Sequence, residues 1–76
     1  MSNLRSVSGA EAIQALERLV FRQVRQRGSH VVLRTETPAG VVGCAVPLQK
    51  ELKIGTLRGI LRQAKVDPDD FLAQLK

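Results

Sequence analysis

Between Phe21 and Val46 the chain carries three short runs with β-branched residues, separated only by tight turns. The runs are Phe21–Gln26, Val31–Leu33 and Val41–Val46, and branched side chains of this kind favour a pleated, half-buried surface. Arg27-Gly28-Ser29 reads as the first turn and Thr37-Pro38-Ala39-Gly40 as the second, because glycine and proline supply the backbone angles that turns need. Turns this short can join only antiparallel neighbours, so the three strands are predicted to form a meander. Pro47 has no amide to donate and ends the third strand. Alternation along the second strand places Val31 and Leu33 on one face, and His30, Val32 and Arg34 on the other. Val42, Cys44 and Val46 alternate along the third strand and are expected to join Val31 and Leu33 beneath a helical layer.

Helical signals flank this region on both sides. Ser8-Gly9-Ala10-Glu11 has the spacing of a capping box, in which a serine hydroxyl and a glutamate carboxylate satisfy each other's backbone amides. Ile13, Leu16 and Val20 then share one helical face with Ala12 and Leu19 at its edge, which predicts a helix over about residues 9–20. Arg18 falls in its last turn, at the negative end of the macrodipole. Thr56 reads as the N-cap of a second helix in which Leu57, Ile60, Leu61 and Ala64 repeat at helical spacing. Arg58 and Arg62 mark its polar face. Asp67 as N-cap, Pro68 in the first helical position and Asp69 and Asp70 in the first turn announce a third helix, buried through Phe71, Leu72 and Leu75. The expected order is therefore α-β-β-β-α-α, an α+β fold with the helices packed on one face of a three-stranded antiparallel sheet. The other face, carrying His30 and Arg34, is left open.

A chain of 76 residues supports one domain, 1–76, and buries roughly 60–65% of its unfolded surface. With two Phe and no Trp or Tyr, the core must rest on Val, Leu, Ile and Ala. Twelve Lys and Arg against seven acids give a formal charge of +5, which favours an anionic partner such as nucleic acid, an acidic protein or an anionic membrane surface. No apolar run approaches the roughly 18–20 residues that span a bilayer, and Met1 to Ser8 has no hydrophobic signal core. The lone Cys44 rules out an internal disulfide. These three features predict a cytoplasmic protein that does not insert into a membrane. One Cys and one His cannot assemble a zinc site of the usual ligand count, so neither metal nor cofactor is expected. Asp67, Asp69 and Asp70 are better explained by helix capping than by Mg²⁺ ligation.

Arg25-Gln26-Arg27-Gly28-Ser29-His30 sets the only histidine beside two arginines. Histidine exchanges a proton near neutrality, and guanidinium forks match phosphate oxygens. That combination points to chemistry on a phosphate backbone. The plainer alternative is a hairpin turn bearing a surface histidine.

This segment, followed by Val46-Pro47-Leu48 and Glu51-Leu52-Lys53-Ile54-Gly55-Thr56-Leu57-Arg58, and closing with Asp69-Asp70-Phe71-Leu72, resembles the HicA (YcfA-like) toxin family of type II toxin–antitoxin systems. The resemblance runs from about Ala12 to Leu75 and rests on the ordered set of motifs rather than on any one of them. It implies a double-stranded-RNA-binding-domain-like fold, metal-independent cleavage of mRNA, and a cognate HicB-type antitoxin that covers the active site. By its Gly-Ser-His context, His30 matches the family's catalytic histidine. Two positions depart from the pattern. Val20 stands where relatives often have a glycine suited to a left-handed helix end. Gln49 stands where relatives with a Pro-Leu-x-Lys-Glu-Leu segment often have a second histidine.

RNA carries its own nucleophile, the 2′-hydroxyl, so a protein needs only a base, a phosphate clamp and charge stabilisation. His30 is assigned to acid/base work. Arg25, Arg27 and Lys50 are assigned to phosphate binding, with Lys53 a weaker candidate. Ser29 would orient His30 or donate to a phosphate, and Gly28 would let the backbone turn and RNA approach. Lys50 and Lys53 as plain solvated charges, and Gly28-Ser29 as a plain turn, remain the structural alternatives. A non-catalytic RNA-binding module is the main functional alternative. A helix-turn-helix made from the last two helices is opposed by the acidic start of the third, since a recognition helix offers its N-terminal end to DNA. Cys44, mid-strand among valines, is expected to pack in the core rather than act as a nucleophile.

Overall fold

The capping box forms as its spacing requires. In the computed structural model, which describes residues 4–75, the Glu11 amide donates to the Ser8 hydroxyl at 3.0 Å and the Ser8 amide to the Glu11 carboxylate at 2.9 Å. Helix α1 (Gly9–Arg18) follows, then β1 (Arg22–Arg27), β2 (His30–Thr37), β3 (Gly40–Pro47), α2 (Ile54–Ala64) and α3 (Pro68–Ala73). The sheet is antiparallel in the order β1-β2-β3. This is the α+β arrangement expected from the sequence. Met1–Asn3, part of the amino-terminal stretch read for a signal core, lie outside the described residues.

Helix α1 ends two residues before the predicted limit, and the reason lies in the backbone. The Val20 amide donates to the Glu17 carbonyl and the Phe21 amide to the Leu16 carbonyl, at 3.1 and 3.0 Å. This is a Schellman closure, and it forces the residue after the cap into the left-handed region. Val20 takes that conformation, with φ 64°. It therefore leaves the apolar stripe to which periodicity assigned it and is 78% exposed. Phe21, one residue on, is buried in the core. A β-branched residue at positive φ is strained, at a cost on the order of 1–2 kcal/mol. Val20→Gly is expected to relieve that strain. After allowance for the greater freedom of glycine in the unfolded chain, the gain is about 1 kcal/mol, or a Tm rise of roughly 4–8 °C. A thermal melt followed by circular dichroism measures it, and an unchanged or lower Tm would show that Val20 is not strained.

The start of α2 also differs from expectation. Lys53, not Thr56, is its N-cap, without a side-chain capping bond. Tertiary pairing decides this: the Leu52 amide donates to the Val7 carbonyl at 2.7 Å, pinning a short antiparallel bridge between two buried residues. The chain then turns directly into helix, and the Leu57 amide takes the Lys53 carbonyl at 2.9 Å. At α3 the capping prediction holds, but of Phe71, Leu72 and Leu75 only Phe71 is buried, because the helix ends at Ala73. The Asp67 carboxylate accepts from the Asp69 amide at 2.8 Å, and Pro68 occupies the first helical position. Arg18 finds a partner beyond its own helix, donating to the Gln74 carbonyl at 2.6 Å and tying the end of α1 to the end of α3.

The core gathers Ile13 and Leu16 of α1, Val31 and Leu33 of β2, Cys44 and Val46 of β3, Leu57, Ile60 and Leu61 of α2, and Phe71 of α3. Val42 is half-buried at its edge. Both α1 and α2 lie against β3. All six residues of β1 are exposed, because Arg-Gln-Val-Arg-Gln-Arg offers one apolar side chain to bury. The strand that carries three of the arginines is thus left uncovered by the helical layer. At Gly9 a Cβ would collide with the Pro47 carbonyl oxygen, so the start of α1 presses directly on the end of β3.

Candidate nucleic-acid interface

Gly28 and Ser29 form a two-residue hairpin turn between β1 and β2. Gly28 has φ 59°, and a Cβ there would meet nothing, so glycine is required by the turn rather than by crowding. Glycine at the first central position is the signature of a type II′ hairpin. The Gln26 side-chain amide donates to the Gly28 carbonyl at 3.0 Å and braces the turn from the helical side. The turn holds Arg27 and His30 directly opposite one another, the last residue of β1 facing the first of β2. Directly paired residues share a face of the sheet. His30 is also the partner of Pro47 on β3, so it stands at the middle of the strand ends, exposed, with a guanidinium on one side.

The loop after β3 is drawn against this turn. The Leu48 amide donates to the Ser29 carbonyl at 2.6 Å, and the Gly9 amide to the Gln49 carbonyl at 2.8 Å. Ser29 thus acts structurally through its backbone. Leu48, Gln49 and Lys50, with Ser8 and Ala10, line a shallow depression of about 250 Å³ beside the turn. Lys50 is therefore brought to the His30 end of the molecule, and Gln49 with it. Lys53 is the exposed N-cap residue of α2, directly after the Val7–Leu52 bridge.

The pairing of β1 with β2 contains a bulge between Gln23 and Arg25 that leaves Val24 without a partner. Below the bulge Arg27 pairs with His30 and Arg25 with Val32; above it Arg22 pairs with Arg34. His30, Val32 and Arg34 face away from the helices, as alternation predicted, so Arg22, Arg25 and Arg27 face that way too. Strict alternation from Arg27 and Arg25 would have sent Arg22 to the helical side. One inserted residue reverses it. The open face consequently carries Arg22, Arg25, Arg27 and Arg34 around His30, against a single acid, Glu36. Its β3 floor is made of small or apolar residues, Val41, Gly43, Ala45 and Pro47. Arg34 was legible in the sequence as a neighbour of His30. Arg22 was not, since no residue in Arg22–Arg25 announces a bulge.

The remaining candidates lose their chemistry in the structure. Burial pushes the Cys44 thiol up to about 11, so it stays protonated and inert at neutral pH. Asp67 is occupied with the Asp69 amide. Among the described residues no group of three or more His, Cys, Asp or Glu gathers to hold a metal, and no helix is long and apolar enough to cross a membrane. Helix α3 has six residues and an acidic first turn, which suits neither groove insertion nor phosphate contact. What the surface offers is one imidazole, a phosphate-matching cluster and open access. A family model described as "HicA toxin of bacterial toxin-antitoxin" matches residues 9–66. No curated protein and no solved structure matches the chain.

Proposed function

The chain belongs to the HicA toxin family of bacterial toxin–antitoxin systems, and from that premise we propose that it is a metal-independent endoribonuclease that cleaves mRNA with His30 as its general acid/base. The observation that carries this reading is the pairing of His30 with Arg27 across a glycine hairpin on an open, arginine-rich face. The His30 imidazole takes the proton of a ribose 2′-hydroxyl as that oxygen attacks the adjacent phosphorus. The P–O5′ bond breaks, and the departing 5′-oxygen takes a proton from solvent. Arg27, beside the imidazole, binds the phosphoryl oxygens as charge builds on them, with Arg25 one step along the same face and Lys50 on the neighbouring loop. Gly28 sets the turn that aligns the pair, and Ser29 holds the loop of Lys50 through its carbonyl. Lys53, at the start of α2, is the weaker candidate for phosphate binding.

The partner implied by the family is a cognate HicB-type antitoxin that would cover this face, and charge complementarity makes an acidic surface its fitting counterpart. The test of the enzymatic reading is incubation of a mixed-sequence RNA with the protein in EDTA. The expected products end in 2′,3′-cyclic phosphate and 5′-hydroxyl. Cleavage only on addition of Mg²⁺ would sink the mechanism. A second reading, a non-catalytic RNA-binding module, is favoured by one observation: Gln49 occupies the loop beside the turn where relatives often carry a second imidazole. It predicts RNA binding with no cleavage.

A further inference from the structure

The open face holds more cationic groups than cleavage at one phosphate requires. Arg27 and Arg25 lie next to His30, but the Arg22–Arg34 pair sits four β2 residues further along, about 13 Å away at strand rise. The bulge at Val24 is what turns Arg22 to this side, and Gly43 is what lets Arg34 lie low across β3. A Cβ on Gly43 would come within 3.3 Å of the Arg34 Cγ. Arg22 and Arg34 line one end of a depression of about 310 Å³ with Val20, Thr35, Glu36 and Val41. The face is thus a track with arginines at both ends and a flat apolar floor between them.

We infer that Arg22 and Arg34 form a second phosphate-binding subsite, and that the open sheet face, not the helical layer, takes a single strand of RNA running from this pair to His30. The inference rests on the reading of the protein as one that acts on RNA, and adds the form and path of the substrate. Arg25 and Arg27, on one face of β1, are two residues apart, about 7 Å, which suits neighbouring phosphates of one extended strand. Guanidinium planes can also stack on unpaired bases. A duplex is a poor fit. Duplex-reading domains contact two successive minor grooves over about 16 base pairs, whereas the arginines of this face lie within one track of about 13 Å. Arg58 and Arg62 lie on α2, on the other side of the sheet, and Arg18 of α1 is engaged by the Gln74 carbonyl.

The experiment uses the full chain carrying His30→Ala, so that binding is read without cleavage, and fluorescence anisotropy with an eight-nucleotide single strand and a sixteen-base-pair RNA duplex as probes. Tighter binding of the single strand is expected. Adding Arg22→Gln or Arg34→Gln should weaken single-strand binding roughly three- to tenfold and lower the slope of log K against log salt by about 0.7 each. Both side chains are exposed, and a thermal melt confirms that each variant folds. Equal or tighter duplex binding overturns the inference. So does insensitivity to Arg22 and Arg34 together with loss on Arg58→Gln or Arg62→Gln, which would move the path to the helices. Lack of cleavage by the unmutated protein, with this binding pattern intact, would instead remove the ribonuclease reading and leave the track standing.

Discussion

Substituting His30 with Ala is expected to lower metal-free RNA cleavage by roughly 10²–10⁴-fold, the usual contribution of a positioned general acid/base. The side chain is exposed at the start of β2 and supports no core residue, so the fold and Tm should be unchanged. Arg25, Arg27 and the Arg22–Arg34 pair keep their places, so RNA binding should survive. Single-turnover cleavage in EDTA, followed by end-group analysis, separates the two effects. Residual cleavage within a few-fold of the unmutated protein would mean that another group moves the proton. Lys50 and Gln49, on the loop held to Ser29, would be the next to examine. Loss of binding as well as cleavage would show that the imidazole serves as a phosphate ligand.

The largest effect on stability is expected from Phe71→Ala. Helix α3 has only six residues, too few to hold itself in water. It is kept in place by Phe71, the largest fully buried side chain of the core, and by the Arg18 bond to the Gln74 carbonyl. Truncating a buried phenylalanine costs roughly 3–5 kcal/mol, part of it for a cavity the surroundings cannot fill. A domain of this length has a total stability of about 4–11 kcal/mol. The variant should therefore melt far below the unmutated protein, with α3 undocked. Urea denaturation gives the number. A loss below about 1 kcal/mol would mean that α3 is an appendage and that the core closes without it. The matched family region ends at residue 66, so the role of Phe71 rests on packing in this chain alone.

Much of this architecture was legible because the signals are local. The Ser8–Glu11 box, Gly28 in its hairpin and Asp67-Pro68 at the start of α3 each satisfy backbone groups a few residues away, and all three form as written. The errors fall where distant segments compete with local preference. Thr56 lost the N-cap of α2 because Val7 captures Leu52 one turn earlier. Val20 left the apolar stripe because Phe21 must enter the core, and the closure that delivers it there turns the preceding residue outward. The candidate site divides in the same way. Its histidine, its turn and its nearest arginines were named from residue type and alternation. Arg22 was not, because its face depends on where the β1–β2 ladder slips.

By itself, then, the sequence determined the α-β-β-β-α-α order, the antiparallel meander and the exposure of His30 beside Arg27. All three follow from side-chain periodicity and turn chemistry within a few residues. Only the tertiary structure decided that Leu48 docks on Ser29, that Val20 carries a left-handed backbone, and that Arg22 faces the same way as His30. Each of these depends on which distant backbone groups find one another. In the last case a single unpaired residue, Val24, reverses the face of what precedes it, and no composition or spacing encodes where a ladder will slip.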